Sequence, residues 1–144
     1  MTTRYRIFAG VTPGLEPLLL RELKPLVPDG KASAVAGGVE LHGVREDLWH
    51  IAMYSRLAES LRVRVGRPLE ARTFDEFEAR MEKLPWNAYL ERGGPLPRIK
   101  VSCQRSKLYH SDAVAERLEK VLRNRRGCSG AADTRRIFIR LLKD

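Results

Sequence analysis

The short, largely apolar run Tyr5–Val11 reads as a strand, until Thr12-Pro13 ends it. Thr12 is placed to cap a helix and Pro13 suits its first position, where no amide donor is needed. Leu15, Leu18, Leu19 and Leu23 then share one helical face, with Pro25 and Pro28 as the stop. Ala32–Ala36 and Val39–His42 read as short strands joined at Gly37-Gly38, a hairpin signal. A second helix is expected from about Arg45 to Ser60, with Leu48, Ile51, Ala52, Ser55 and Ala58 inward, and Leu61–Val65 alternates as a closing strand. The order βαββαβ is the split βαβ, or ferredoxin-like, unit.

Gly66-Arg67-Pro68 marks a junction. Beyond it, Thr73-Phe74-Asp75-Glu76 has the form of a capping box and opens a helix with Phe74, Phe77, Met81 and Leu84 inward. Pro85 ends that helix, and Gly93-Gly94-Pro95-Leu96-Pro97 is a loop. Ile99, Val101 and Cys103 then alternate with Arg98, Lys100 and Ser102, predicting a strand. A polar turn with Arg105, Lys107 and Tyr109 leads from it to Ser111 or Asp112 as the cap of a helix ending near Arg126. Gly127 closes the helix and Arg136–Leu142 forms a last strand. Two strands alone make a marginal sheet, so this second unit is expected to be truncated, or its strands to pair elsewhere. The fold class is α+β: a ferredoxin-like subdomain over 1–67 followed by a second α/β subdomain over 68–144.

Charge changes this picture through its position. The chain carries +9, yet residues 1–97 hold 14 Lys+Arg against 13 Asp+Glu, while residues 98–144 hold 13 against 5. An excess confined to the last third is the electrostatic footprint of a polyanion-binding surface. Glu116–Lys120 and Glu119–Arg123 are acid-before-base pairs four apart and should be self-paired on the helix. Arg98, Lys100, Arg105, Lys107, Arg125 and Arg126 lack such local partners and are the candidate phosphate contacts, with Tyr109 as a candidate stacking group. Phe138, between Arg136 and Arg140, is a weaker stacking candidate; Trp49, Trp86 and the remaining phenylalanines read as core.

Several chemistries drop out. No glycine-rich turn sits between a strand and a helix, and no Gly-x-x-x-x-Gly-Lys occurs, so a nucleotide-dependent enzyme is not indicated. His110-Ser111-Asp112 gathers triad residue types, but adjacent side chains diverge and a helix cap accounts for two of them. Cys103 and Cys128 with three scattered histidines give no metal spacing, and fit a reduced, cytoplasmic setting. The strand Val39–His42 lacks the aromatics by which RNA-recognition motifs stack bases. Gly127-Cys128-Ser129-Gly130 imitates a KH loop, but a strand follows where a helix should. No apolar run is long enough for a membrane span. No catalytic residue is identified.

Pro13-Gly14-Leu15-Glu16 with Leu18-Leu19, Gly37-Gly38-Val39-Glu40-Leu41, Arg72-Thr73-Phe74-Asp75-Glu76, Pro85-Trp86 and the run Ser106–Arg117 together resemble the amino-terminal region of THUMP-containing RNA methyltransferases, the group related to 23S rRNA and tRNA guanine-N2 enzymes. The resemblance spans nearly the whole chain. It implies a ferredoxin-like domain followed by an incomplete THUMP domain, a module that docks structured RNA, rRNA or tRNA, for a separate catalytic domain. In that family the catalytic domain uses S-adenosylmethionine and an Asn-Pro-Pro-aromatic motif. Here Asn87 and Asn124 are the only asparagines, and neither precedes proline. The expectation is therefore an RNA-docking module with no cofactor of its own. The competing expectation is a protein-interaction module for an acidic partner or for the catalytic domain.

Overall fold

In the first unit, Ile7, Ala9, Val39 and Leu41 fall on one side of their strands because strand side chains alternate, and all four are buried. The computed structural model describes residues 3–103, 111–128 and 135–141. It divides into two compact units, Met1–Val65 and Gly66–Asp144. The first contains β1 (Tyr5–Gly10), α1 (Glu16–Leu26), β2 (Ser33–Val35), β3 (Gly38–Gly43), α2 (Arg45–Tyr54) and β4 (Ser60–Arg64). The four strands are antiparallel in the order β2-β3-β1-β4, the ferredoxin-like arrangement. Leu19 and Leu23 of α1 and Ile51 of α2 complete the core against one sheet face. Each such fully buried aliphatic side chain contributes about 1.5–3 kcal/mol.

Two sequence motifs meet at the start of α1. The Glu16 carboxylate accepts the Gly14 amide at 2.7 Å and the Gly37 amide at 3.0 Å, pinning the helix start to the β2–β3 turn. These backbone donors, its own amide foremost, hold its carboxyl below the usual range. Gly37 has φ +81°, the left-handed conformation that a hairpin turn assigns to glycine. At Gly38 a Cβ would lie 2.1 Å from the Ala9 carbonyl oxygen, so the close approach of β1 and β3 admits no side chain there.

Several expectations need correction: Pro25, expected to stop the first helix, lies inside α1, which runs on to Leu26. Thr12 does not cap α1: its hydroxyl donates to Glu59, its carbonyl accepts from the Leu15 amide, and the helix starts at Glu16 with Pro17 in its first turn. The second helix stops at Tyr54 and does not reach Ser60. There Ser55 turns to extended backbone (φ −70°, ψ 132°), and Glu22 of α1 accepts the Ser55 hydroxyl and the Arg56 and Leu57 amides. A neighbouring helix thus ends α2, a cause that local periodicity does not contain. Trp49 is 57% exposed on α2 and belongs to no core, and Phe8, also read as core, is half-buried on the sheet face turned away from Ile7 and Ala9.

The second unit contains α3 (Phe74–Glu82), a 3₁₀ turn (Trp86–Ala88), β5 (Arg98–Cys103), α4 (Ser111–Arg126) and β6 (Arg136–Leu141). Thr73 Oγ1 accepts the Glu76 amide at 3.2 Å and Glu76 reaches back to the Arg72 amide at 2.8 Å, so the expected cap starts α3. Phe77 and Met81 pack with Val114, Leu118, Val121 and Leu122 of α4 as its buried core, and Trp86 is fixed there by donating from Nε1 to the Met81 carbonyl at 2.7 Å. After α4, Gly127 at φ +63° turns the chain and the Cys128 amide returns to the Leu122 carbonyl. β5 and β6 pair with each other in parallel, from Arg98↔Arg136 to Cys103↔Leu141. That geometry requires a crossover, and α4 is its helix.

Candidate nucleic-acid interface

Parallel register decides what the second unit presents. Ile99, Val101 and Cys103 of β5 and Ile137, Ile139 and Leu141 of β6 are half-buried, while the residues between them are exposed. Arg98 lies opposite Arg136, Lys100 opposite Phe138, and Ser102 opposite Arg140. Residues facing each other in register share a sheet face, so four cations and one aromatic form a single outward surface. Same-face neighbours lie about 5–7 Å apart, from the strand spacing and the two-residue repeat.

Three carboxylates on the helices of this unit are paired with helical cations. Glu78 of α3 accepts Arg117 at 2.9 Å and Lys120 at 3.2 Å. The hydrogen bond from Arg117, then that from Lys120, holds the Glu78 carboxyl below its ordinary value, and the same contact raises Arg117. Glu119 pairs with Arg123 at 2.9 Å and Glu82 with Arg125 at 3.0 Å. The helical layer therefore largely neutralises itself. Among the described residues, Arg98, Lys100, Arg136 and Arg140 make no ion pair with a carboxylate. Like charges directly opposite on paired strands are destabilising, so Arg98 beside Arg136 is a cost that an anion would remove.

The sequence-level candidates separate accordingly. Arg98 and Lys100 lie on this face. Arg105, Lys107 and Tyr109 lie outside the described residues. Arg125 and Arg126, expected to lack local partners, are held by partners distant in the chain. Arg125 bridges to Glu82, and Arg126 donates to the Leu90 carbonyl at 2.6 Å while its own carbonyl accepts the Gly93 amide at 2.7 Å. Arg126 thus ties the end of α4 to the loop that follows the 3₁₀ turn. Lys120 does not pair with Glu116, since Glu78 on the adjacent helix takes it; the Glu119–Arg123 pair forms as expected. Sequence reasoning left Arg136 and Arg140 out of the site, because only the β5–β6 register sets them beside Arg98 and Lys100. Their alternation around Phe138 was the available signal.

Among the described residues, no group of His, Cys, Asp or Glu could hold a metal ion, and no helix is long and apolar enough to cross a membrane. Among the described residues, the surface offers hydrogen-bond donors and positive charge.

Comparison with known proteins adds the following. Residues 6–63 match the family model described as the RlmL ferredoxin-like domain. The chain is 29% identical over 119 residues to a ribosomal RNA large subunit methyltransferase K/L of Syntrophotalea carbinolica, a match covering 83% of this chain and 16% of that protein. Among solved structures, a protein described as a predicted N6-adenine-specific DNA methylase from Listeria monocytogenes superposes with TM-score 0.84 at 22% identity, over 99% of this chain and 38% of that one. TrmN from Thermus thermophilus superposes with TM-score 0.66 at 26% identity, over 96% of this chain and 42% of that one. The chain thus spans well under half the length of these relatives.

Proposed function

We propose that this chain is the RNA-docking region of an RNA methyltransferase, related to the THUMP-containing enzymes; the match of residues 6–63 to the RlmL ferredoxin-like domain and the likeness of nearly the whole chain to the solved methylase and TrmN folds support this reading. The observation that carries this reading is the outward face of β5 and β6, where Arg98, Lys100, Arg136 and Arg140 stand without carboxylate partners among the described residues. Four cations at this spacing suit the phosphates of a folded RNA, with shape setting the target. Arg105, Lys107 and Tyr109, in the segment leading from β5 into α4, are proposed to extend the same contact. Catalysis is assigned to a separate domain that takes its methyl group from S-adenosylmethionine; the residues of this chain bind and orient. The substrate class is rRNA or tRNA. The domain division at 67/68 is proposed on the same basis, with the second unit as the THUMP-type module.

The test is the salt dependence of binding to a labelled stem–loop RNA. Each phosphate contact to B-form DNA contributes a slope of roughly 0.9 in log K against log salt, taken here for the paired stem as well. Replacing Lys100, Arg136 and Arg140 by alanine should make that slope shallower by about 2.7 if all three touch phosphates. An unchanged slope in a folded variant refutes the assignment. Retained binding of an acidic protein in place of RNA would favour the protein-interaction reading.

A further inference from the structure

The first unit has a second sheet face, opposite the one covered by α1 and α2. Register fixes its membership. Arg6 lies opposite His42 on β3 and Arg64 on β4, and Phe8 lies opposite Glu40 and Arg62. All six therefore share the side facing away from Ile7, Ala9 and Leu41. Arg62, Arg64 and His42 are exposed, and Arg6, Phe8 and Glu40 are half-buried. Three arginines face one carboxylate, an excess of two positive charges on a surface with no buried polar residue beneath it.

Two details separate this face from an ordinary solvated one. Arg6 and Arg64 are direct cross-strand partners, a like-charge pairing that costs stability. Arg64 is also held in place: its guanidinium contacts Glu40 at 2.7 Å and lies 5.3 Å from the centre of the Phe8 ring. An exposed ion pair of this kind adds little stability, but it fixes the direction of a planar donor group. The Phe8 ring leans over two glycines; a Cβ on Gly38 would lie 2.8 Å from Cζ, and one on Gly10 would lie 3.6 Å from Cε1. The missing side chains leave the sheet low at the end where β1 finishes and β3 begins, beside an aromatic flanked by Arg62 on β4 and Glu40 on β3.

We propose that this face is a second RNA contact, a track for the phosphates of an unpaired ribonucleotide segment running over β1 and β4, where all three arginines lie. The inference rests on the RNA-docking reading above and assigns to the first unit a role beyond scaffolding. An open face of an antiparallel sheet suits a single strand, which can lie along it, while a duplex presents a convex surface. Recognition is through backbone charge, with Arg6 and Arg62 as the principal contacts and Arg64 as the oriented one. Base identity has little influence, since the Phe8 ring is shared with Arg64.

The experiment uses the whole chain and a labelled single-stranded oligouridylate, with Arg6→Gln plus Arg62→Gln as the variant. Arg64, Glu40 and Phe8 stay in place. Single strands give a slope of roughly 0.7 per phosphate contact, so the double variant should lose about 1.4 in slope. Taken over the decade from about 1 M to 0.1 M salt, that is a loss of roughly 25-fold in affinity. Arg62→Gln alone should lose about half the slope change, near 0.7. Removing the same two charges from the helical layer, with Arg21→Gln plus Arg45→Gln, should leave the slope as it was. The proposal is overturned if the Arg6/Arg62 variant keeps the wild-type slope, including the case in which the face binds a protein, or if the helical control loses as much. The Lys100/Arg136/Arg140 variant, run alongside, separates the two readings. If it loses slope and Arg6/Arg62 does not, only the second contact fails; if neither loses slope, both fail.

Discussion

Replacing Glu22 by glutamine keeps the shape of the side chain and removes its charge, which isolates what that carboxylate does at the end of α2. In the native structure Glu22 accepts the Ser55 hydroxyl, the Arg56 amide at 3.0 and 3.1 Å, and the Leu57 amide at 3.3 Å. Burial raises its carboxyl, but the Ser55 hydroxyl, the two amides and the Arg56 charge outweigh that effect, and the net shift is downward. A hydrogen bond to a charged group is worth about 1.5–3 kcal/mol when well shielded, and the exposed Arg56 amide can exchange its partner for water. Glutamine retains one acceptor oxygen, so the expected loss is about 1.5 kcal/mol for the first unit. In a unit of this size that corresponds to roughly 6–12 °C in Tm. Thermal unfolding followed through the amide signals of Ala9 and Val39 measures it, and Leu118 in the second unit serves as the internal reference. The sign of the pH dependence is fixed: a carboxyl whose folded value is depressed stabilises above its unfolded value near 4.5, and that stabilisation fades as pH falls through the lower folded value. The gap between wild type and Glu22→Gln should therefore be full at neutral pH and close in strong acid. A gap that persists unchanged at low pH, or is absent at pH 7, refutes the account of how α2 ends.

Other expected outcomes are simpler. Leu118→Ala removes a fully buried side chain of α4 and should cost the second unit about 2–5 kcal/mol, read by urea unfolding. Arg126→Ala should cost about 1 kcal/mol by releasing the Leu90 carbonyl, with RNA affinity of the folded protein unchanged. Trp49→Ser should change stability by no more than about 0.5 kcal/mol, because more than half of that side chain meets solvent.

The sequence carried those features that are local. The apolar run Tyr5–Gly10, the alternation in Arg98–Cys103, the turn at Gly37 and the Thr73 cap all depend on residues within a few positions of each other, and all are present. What it did not carry is set by partners distant in the chain. Glu22, some 33 residues before Ser55, ends α2. Glu78, on a different helix, takes Lys120 from Glu116. Trp49 looked like core because tryptophan commonly is, and nothing near it in sequence says that its side of α2 stays uncovered. The candidate interface divides the same way. Arg98 and Lys100 were visible as the polar half of one strand, whereas Arg136 and Arg140 joined them only once parallel pairing brought residue 136 beside residue 98.

That parallel pairing has a thermodynamic corollary. The cationic patch of the second unit comes into existence only as the chain folds, when a crossover through α4 closes and two arginines are pressed side by side. Polyanion and folded state are then linked: an RNA held there acts as a counterion of the fold itself and raises its melting temperature by mass action. Added salt should imitate part of that benefit by shielding the same repulsion, so this module gains cohesion under the conditions that loosen its grip on RNA.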